Sequence, residues 1–136
     1  MSLYDIWKTE RRVWAEGPQA CAEHILIDAL ITPPAPMPAL TAKALIAFTR
    51  GARPFSDVDL GARTFVQAGD TIVIRYIASA QHPRYKNRYF ARCSTTYARV
   101  GEGWKVAAHH HTRLSRKDAE SLLAMDAASA IVEGAA

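Results

Sequence analysis

The chain has 136 residues, 49% of them hydrophobic and 22% charged, the size and balance of one globular domain spanning 1–136 rather than of a fibrous or disordered chain. Its net charge of +4 arises from 17 basic and 13 acidic residues that are scattered along the sequence, without the dense basic stripe of a nucleic-acid binder. The one stretch that alternates base and aromatic, Arg84 to Tyr89, reads as a charged hairpin rim.

Cys21 and Cys93 lie far apart and form no motif, so each reads as a small buried hydrophobe in a reducing compartment. Asp5, Lys8, Glu10, Arg11 and Arg12 in the first turns are incompatible with a signal peptide. The apolar run Ile25-Leu26-Ile27 is broken by Asp28 and is far too short for a membrane span. The expectation is a cytoplasmic protein with neither a nucleic-acid nor a membrane partner.

In chain order, Ser2 followed by Asp5 makes a capping box. Leu3, Ile6, Trp7, Val13 and Trp14 recur at helical spacing, with Lys8, Glu10, Arg11 and Arg12 on the other face, which predicts a helix over 3–16. Gly17-Pro18 ends it and opens a second predicted helix with Ala22, Ile25, Leu26 and Ala29 as its stripe. The prolines between Thr32 and Pro38 exclude regular structure, and a third helix is predicted over 41–50.

The period then changes to two. Residues 56–68 place Val58, Leu60, Ala62, Thr64 and Val66 on one face, and 71–81 place Ile72, Ile74, Tyr76 and Ala78 on one face. Gly69-Asp70 is the turn between them. Strands are also predicted over 87–100 and 104–114, joined by Gly101-Glu102-Gly103, and Ser115 to Asp118 caps a last helix over about 116–132 with a frayed tail at 133–136. Helices followed by a long antiparallel meander describe an α+β roll.

The segments Gly69-Asp70-Thr71-Ile72-Val73-Ile74-Arg75-Tyr76 and Gly101-Glu102-Gly103-Trp104-Lys105-Val106 through His111-Thr112, with the long Trp7- and Trp14-bearing helix, carry a resemblance. They resemble the nuclear transport factor 2-like superfamily. Within it the similarity is to small bacterial polyketide-cyclase-like (SnoaL-like) domains and to the group near the calcium/calmodulin-dependent kinase association domain. The resemblance spans roughly residues 3–114. It implies a cone: N-terminal helices packed on a curved antiparallel sheet, one enclosed pocket for a small-molecule ligand, and a homodimer formed through the outer sheet face. The fold hosts isomerases, cyclases, hydrolases and simple binders, so it does not choose a reaction.

Residues that could act in such a pocket follow from strand parity. Trp104, Val106 and Ala108 form the apolar set of the last strand, and the same face continues into His110, which makes His110 the pocket histidine and candidate general base. His109 and His111 then fall on the outer face; at i and i+2 they could share a metal, but no third ligand is placed near them, and no metal is assigned. Between Thr71 and Asp118 the only acid is Glu102, in a turn, which departs from the aspartate-bearing strands of the related isomerases, cyclases and epoxide hydrolases. By the resemblance, Asp28 stands about where an isomerase-type base would fall; read on its own it is a solvated helix-end carboxylate.

Tyr76 and Tyr97 are candidate hydrogen-bond donors, and Tyr4, Trp7, Tyr89, Cys93 and Trp104 candidate ligand contacts, against a plain aromatic core. No phosphate loop, nucleotide fingerprint or Ser-His-Asp pattern occurs, so no cofactor is expected. Two functions stay open: binding, with or without cofactor-free proton transfer, of a small hydrophobic or aromatic metabolite, or a non-catalytic association domain whose pocket is vestigial.

Overall fold

A computed structural model describes residues 2–135, with side chains over 2–128. Helix α1 runs Leu3–Glu16, and the Ser2–Asp5 capping box is present: the Ser2 hydroxyl accepts from the Asp5 N–H, and the Asp5 carboxylate accepts from the Ser2 N–H. Gly17, at φ 90°, ends α1 in a conformation that suits a residue without Cβ. The second predicted helix is only a 3₁₀ segment, Pro18–His24, and Ile25–Thr32 is instead strand β1. The β-branched Ile25, Ile27, Ile31 and Thr32 favour an extended backbone, and β1 finds a parallel partner in the last strand. The sheet is therefore mixed rather than wholly antiparallel.

After β2 (Leu40–Thr41) and α2 (Ala42–Phe48, capped by Thr41) come β3 (Ser56–Ala68), β4 (Thr71–Gln81), β5 (Tyr89–Val100) and β6 (Gly103–Leu114), then α3 (Arg116–Ala135). The frayed tail expected at 133–136 lies largely within α3, and Ala136 lies outside the described residues. The six strands are ordered β2-β1-β6-β5-β4-β3 in one curved sheet.

Two irregularities decide which side chains face inward. In β3 the register with β4 shifts between Gly61 and Thr64, around Ala62 at φ 51°. Val58 and Leu60 are buried as the alternation predicts, but beyond the shift Thr64 and Val66 turn to the outer face. In β6, Tyr97 pairs with Val106 while Thr96 pairs with Ala108, so Ala107 is an extra residue and every side chain beyond it changes face.

The main core lies between α1 and the inner face of the sheet and includes Ile6, Trp7, Trp14, Ile72, Ile74, Tyr76, Tyr97, Trp104 and Val106. A second, smaller cluster of Ile77, Phe90 and Ala119, with Leu122 and Leu123 packed against it, seats α3 on one end of the outer face. No helix among the described residues is long and apolar enough to cross a membrane.

Candidate functional site

Inside the curve of the sheet is a cavity of about 400 Å³. Its walls are mainly apolar, from Val13 and Trp14 of α1, Ile25 and Ile31 of β1, Ala42 and Leu45 of α2, and Phe55, while Glu10, Thr95, His109 and His111 supply polar atoms at its floor. A cavity of this size and lining suits a small organic molecule.

The floor is organised around Glu10, which is 3% exposed. One carboxylate oxygen, Oε1, accepts from the Tyr97 hydroxyl at 2.7 Å. The other, Oε2, accepts from the Thr95 hydroxyl at 2.6 Å and from the Tyr76 hydroxyl. Tyr76 in turn accepts from Trp14 Nε1 at 3.0 Å, so its own proton is directed to Glu10. Three donors converging on one carboxylate satisfy a group that could not otherwise be buried. Among the described residues no buried side-chain polar atom lacks a partner.

The helix face explains how Glu10 arrives there. Positions i−4, i−3, i+3 and i+4 from Glu10 are Ile6, Trp7, Val13 and Trp14, all apolar and all on the core stripe of α1. The expectation that Glu10 belongs to the polar face is thus overturned; its four neighbours were the signal that marks it as inward.

Thr95 Oγ1 also lies 2.7 Å from His109 Nδ1. Because the Thr95 proton goes to Glu10, the imidazole must donate from Nδ1, which leaves the Nε2 lone pair as its free acceptor. His109 Nδ1 and Glu10 Oε2 are 3.7 Å apart. Burial holds the His109 pKa below the ordinary histidine value, against the opposing pull of the Glu10 charge, so the ring is neutral near pH 7. His111 is also held low, at about 3, by burial and then by its neighbours His109 and His110. The Tyr89 hydroxyl, 2.6 Å from His111 Nε2, has its pKa pushed up to about 12 by burial and therefore stays protonated.

Parity on β6 placed His110 in the pocket and its neighbours outside; the Ala107 bulge reverses this. His109 and His111 line the cavity, opposite Thr95 and Cys93 of β5, and His110 is exposed on the outer face beside Ser94. Asp28 is exposed in an irregular stretch of β1, not at a helix end and not in the cavity. Tyr4 is 71% exposed, with the Lys8 ammonium 5.8 Å from its ring centre, and does not line the cavity.

Tyr76 and Tyr97 are inward and buried as parity predicts, but as donors to Glu10 behind the cavity wall. Trp7 packs edge-on against Tyr76 at 5.8 Å and is core, as is Trp104, whose ring is covered by the Arg99 guanidinium at 4.5 Å. Tyr89 bonds His111 and packs against the wall residues Trp14 and Phe55, its ring centre 6.1 and 5.1 Å from theirs, and Cys93 is buried between Tyr76 and His111 across the strands.

Cys93 Sγ and ring nitrogens of His109 and His111 lie within 4.8 Å of one another. This supplies the third ligand that the sequence lacked. Yet His109 Nδ1 is held by Thr95 and His111 Nε2 by Tyr89, and burial with the nearby Glu10 charge pushes the Cys93 thiol pKa far up. The groups are arranged as hydroxyl–imidazole pairs, with a thiol that would have to lose its proton to ligate.

No family model and no curated protein matches the sequence. Solved structures do match. An NTF2-like protein of unknown function from Prochlorococcus superposes with a TM-score of 0.70 at 15% identity, covering 87% of this chain and 98% of that one. A candidate ketosteroid isomerase from Parabacteroides distasonis gives 0.69 at 16%, covering 83% and 88%. A CaMKII hub from S. rosetta gives 0.68 at 14%, covering 82% and 95%. At such identities the likeness is one of fold: this chain has the NTF2-like α+β fold.

Proposed function

We propose that this NTF2-like chain binds a small hydrophobic or aromatic metabolite in its inner cavity and moves a proton on it without a cofactor, with His109 as the general base. The observation that carries the reading is the Glu10–Thr95–His109 chain at the floor of an apolar cavity. It fixes the imidazole tautomer and places a carboxylate where the imidazolium formed by proton uptake is stabilised, while burial keeps the resting ring neutral.

In the step supported by this arrangement, His109 Nε2 takes a proton from an acidic carbon beside a carbonyl. The C–H electron pair moves into the ligand and onto its carbonyl oxygen. The same proton returns to a different atom of the ligand, so atoms and electrons balance with no second substrate. The likeness to a candidate ketosteroid isomerase is compatible with this class of reaction but is a likeness of fold.

Hydrogen–deuterium exchange at carbon acids, followed by NMR over a panel of small aromatic and alicyclic ketones, tests the reading. Acceleration by the wild type and its loss in His109→Ala is the expected result. Equal exchange with and without the imidazole sinks it.

A second reading is favoured by one further observation. Beyond the end covered by α3, a row across the outer sheet face runs Val66, Val73, Thr96, Ala108 and Leu30 in register, with Val66 59% and Leu30 67% exposed. Such an apolar stripe supports homodimerisation through the outer sheet face. An association role alone, with a vestigial pocket, is the alternative; it is compatible with the hub-like neighbour but leaves the Glu10–Thr95–His109 chain without a purpose.

A further inference from the structure

The inner cavity does not end at its mouth. Gly51, Ala52, Arg53 and His82 line it and also line a second cavity of about 400 Å³, whose remaining walls are Phe48, Pro83, Arg84 and Tyr85. The two chambers differ in chemistry. The inner one is walled by aliphatic and indole groups, and its two acids are both engaged, Glu10 by its three hydroxyls and Glu16 by Arg12 at 2.8 Å.

The outer chamber is lined by two arginines and by no acidic residue. Among the described residues neither Arg53 nor Arg84 has an acidic partner within ion-pair distance, whereas Arg12, Arg88, Arg99 and Arg116 each do. His82, at the junction, is oriented from two sides: its Nδ1 accepts the Arg84 backbone N–H at 2.9 Å, and its ring packs against Tyr85 at 4.3 Å, tilted by 39°. Burial first, and then the positive charges of Arg84 and Arg113, hold its pKa below the ordinary value, as expected in a local field of positive sign.

We infer that the ligand is an anion with two parts, an apolar body that fills the inner chamber and a carboxylate or phosphate head that sits between Arg53 and Arg84 in the outer one. Two arginines without an acidic partner that line one cavity are suited to a planar or tetrahedral oxyanion, which their guanidinium groups bind by charge-assisted hydrogen bonds. The inference rests on the inner cavity being a ligand site. It adds the class of ligand: an amphipathic acid held with its reactive end toward His109 and its charge at the mouth.

The test is calorimetric binding of three probes with the same body, 4-phenylbutyrate, its methyl ester and 4-phenylbutyl phosphate, to wild type and to Arg53→Gln/Arg84→Gln. One of the two anions should bind the wild type at least about tenfold more tightly than the ester, and that anion identifies the head group. The preference should shrink as salt is raised and vanish in the double variant, while ester binding stays the same. His109→Ala should leave the preference in place, because that ring acts at the other end.

An ester that binds as well as both acids, or a preference that survives loss of both arginines, overturns the inference while leaving the inner site standing. If no probe binds, the ester included, the inner-site reading falls and this one falls with it.

Discussion

Glu10 Oε2 and His109 Nδ1 stand 3.7 Å apart, with the Thr95 hydroxyl hydrogen-bonded to both, 2.6 Å from the carboxylate and 2.7 Å from the imidazole. The first helix thereby reaches the last strand through the middle of the sheet. A single hydroxyl between acid and base determines the direction of every proton in the chain: Thr95 gives to Glu10, so His109 gives to Thr95.

Glu10→Gln keeps the size of the side chain but turns one acceptor into a donor facing a hydroxyl. We expect a loss of about 2–4 kcal/mol in folding stability, read as a lower urea midpoint at unchanged slope. His109-dependent turnover should fall as well. An unchanged midpoint would show that the three hydroxyls do not depend on the carboxylate.

Neighbouring histidines on β6 should separate cleanly. His109→Ala is expected to lower turnover by about 10²–10⁴-fold, the usual range for removing a general base. His110→Gln, on the exposed outer face, should leave turnover unchanged and stability within about 0.5 kcal/mol. The reverse pattern would restore the unbulged register of β6.

Stability should depend on pH through His111. Its folded pKa is about 3, against 6.5 for the free side chain, so below pH 6.5 the unfolded chain takes up a proton that the folded chain refuses. The unfolded state is favoured progressively as pH falls from 6.5 towards 3, and the lowered pKa of His109 acts in the same direction. Above 6.5 neither ring contributes a slope. Urea midpoints at pH 7 and pH 4 should diverge more in the wild type than in His111→Gln; parallel behaviour would contradict a buried, neutral ring.

Tyr76→Phe removes a donor to Glu10 and also leaves Trp14 Nε1 without its acceptor. The expected loss is about 1–3 kcal/mol. Tyr97→Phe removes the donor to Glu10 Oε1 and leaves that buried oxygen stranded, so its loss should be of the same size; chemical denaturation of the two variants compares them directly.

On the outer face, Leu30→Glu places a charge on the most exposed residue of the apolar row formed with Ala108, Thr96, Val73 and Val66. Sedimentation velocity should show a wild-type dimer and a monomeric variant, with the inner cavity and its ligand binding retained. A variant that sediments like the wild type would move the interface elsewhere.

Much of this architecture is legible in the residues themselves. The Ser2–Asp5 capping box and the apolar stripe place α1 at Leu3–Glu16, and the alternation in Ile72, Ile74, Tyr76 and Ala78 identifies the inner face of β4. Turns at Gly69-Asp70 and Gly101-Glu102-Gly103 divide the meander correctly, and the resemblance to NTF2-like proteins follows from those same segments. These features are local: a cap, a period or a turn depends on residues a few positions apart.

Three decisive features are not local. Ile25–Thr32 becomes a strand because β6 offers it a partner. Ala107 bulges because the β5–β6 ladder accommodates one extra residue, and an alanine carries no compositional mark of that role, yet it turns His109 and His111 inward and His110 outward. Glu10 is buried because hydroxyls from β4 and β5 meet it across the core. The sequence by itself determined α1, α2 and α3, the spans of β3 to β6 and the fold class, since each is written in short-range periodicity. Only the tertiary structure decided which histidine meets the cavity and which acid stands behind it, because both depend on pairing between segments far apart in the chain.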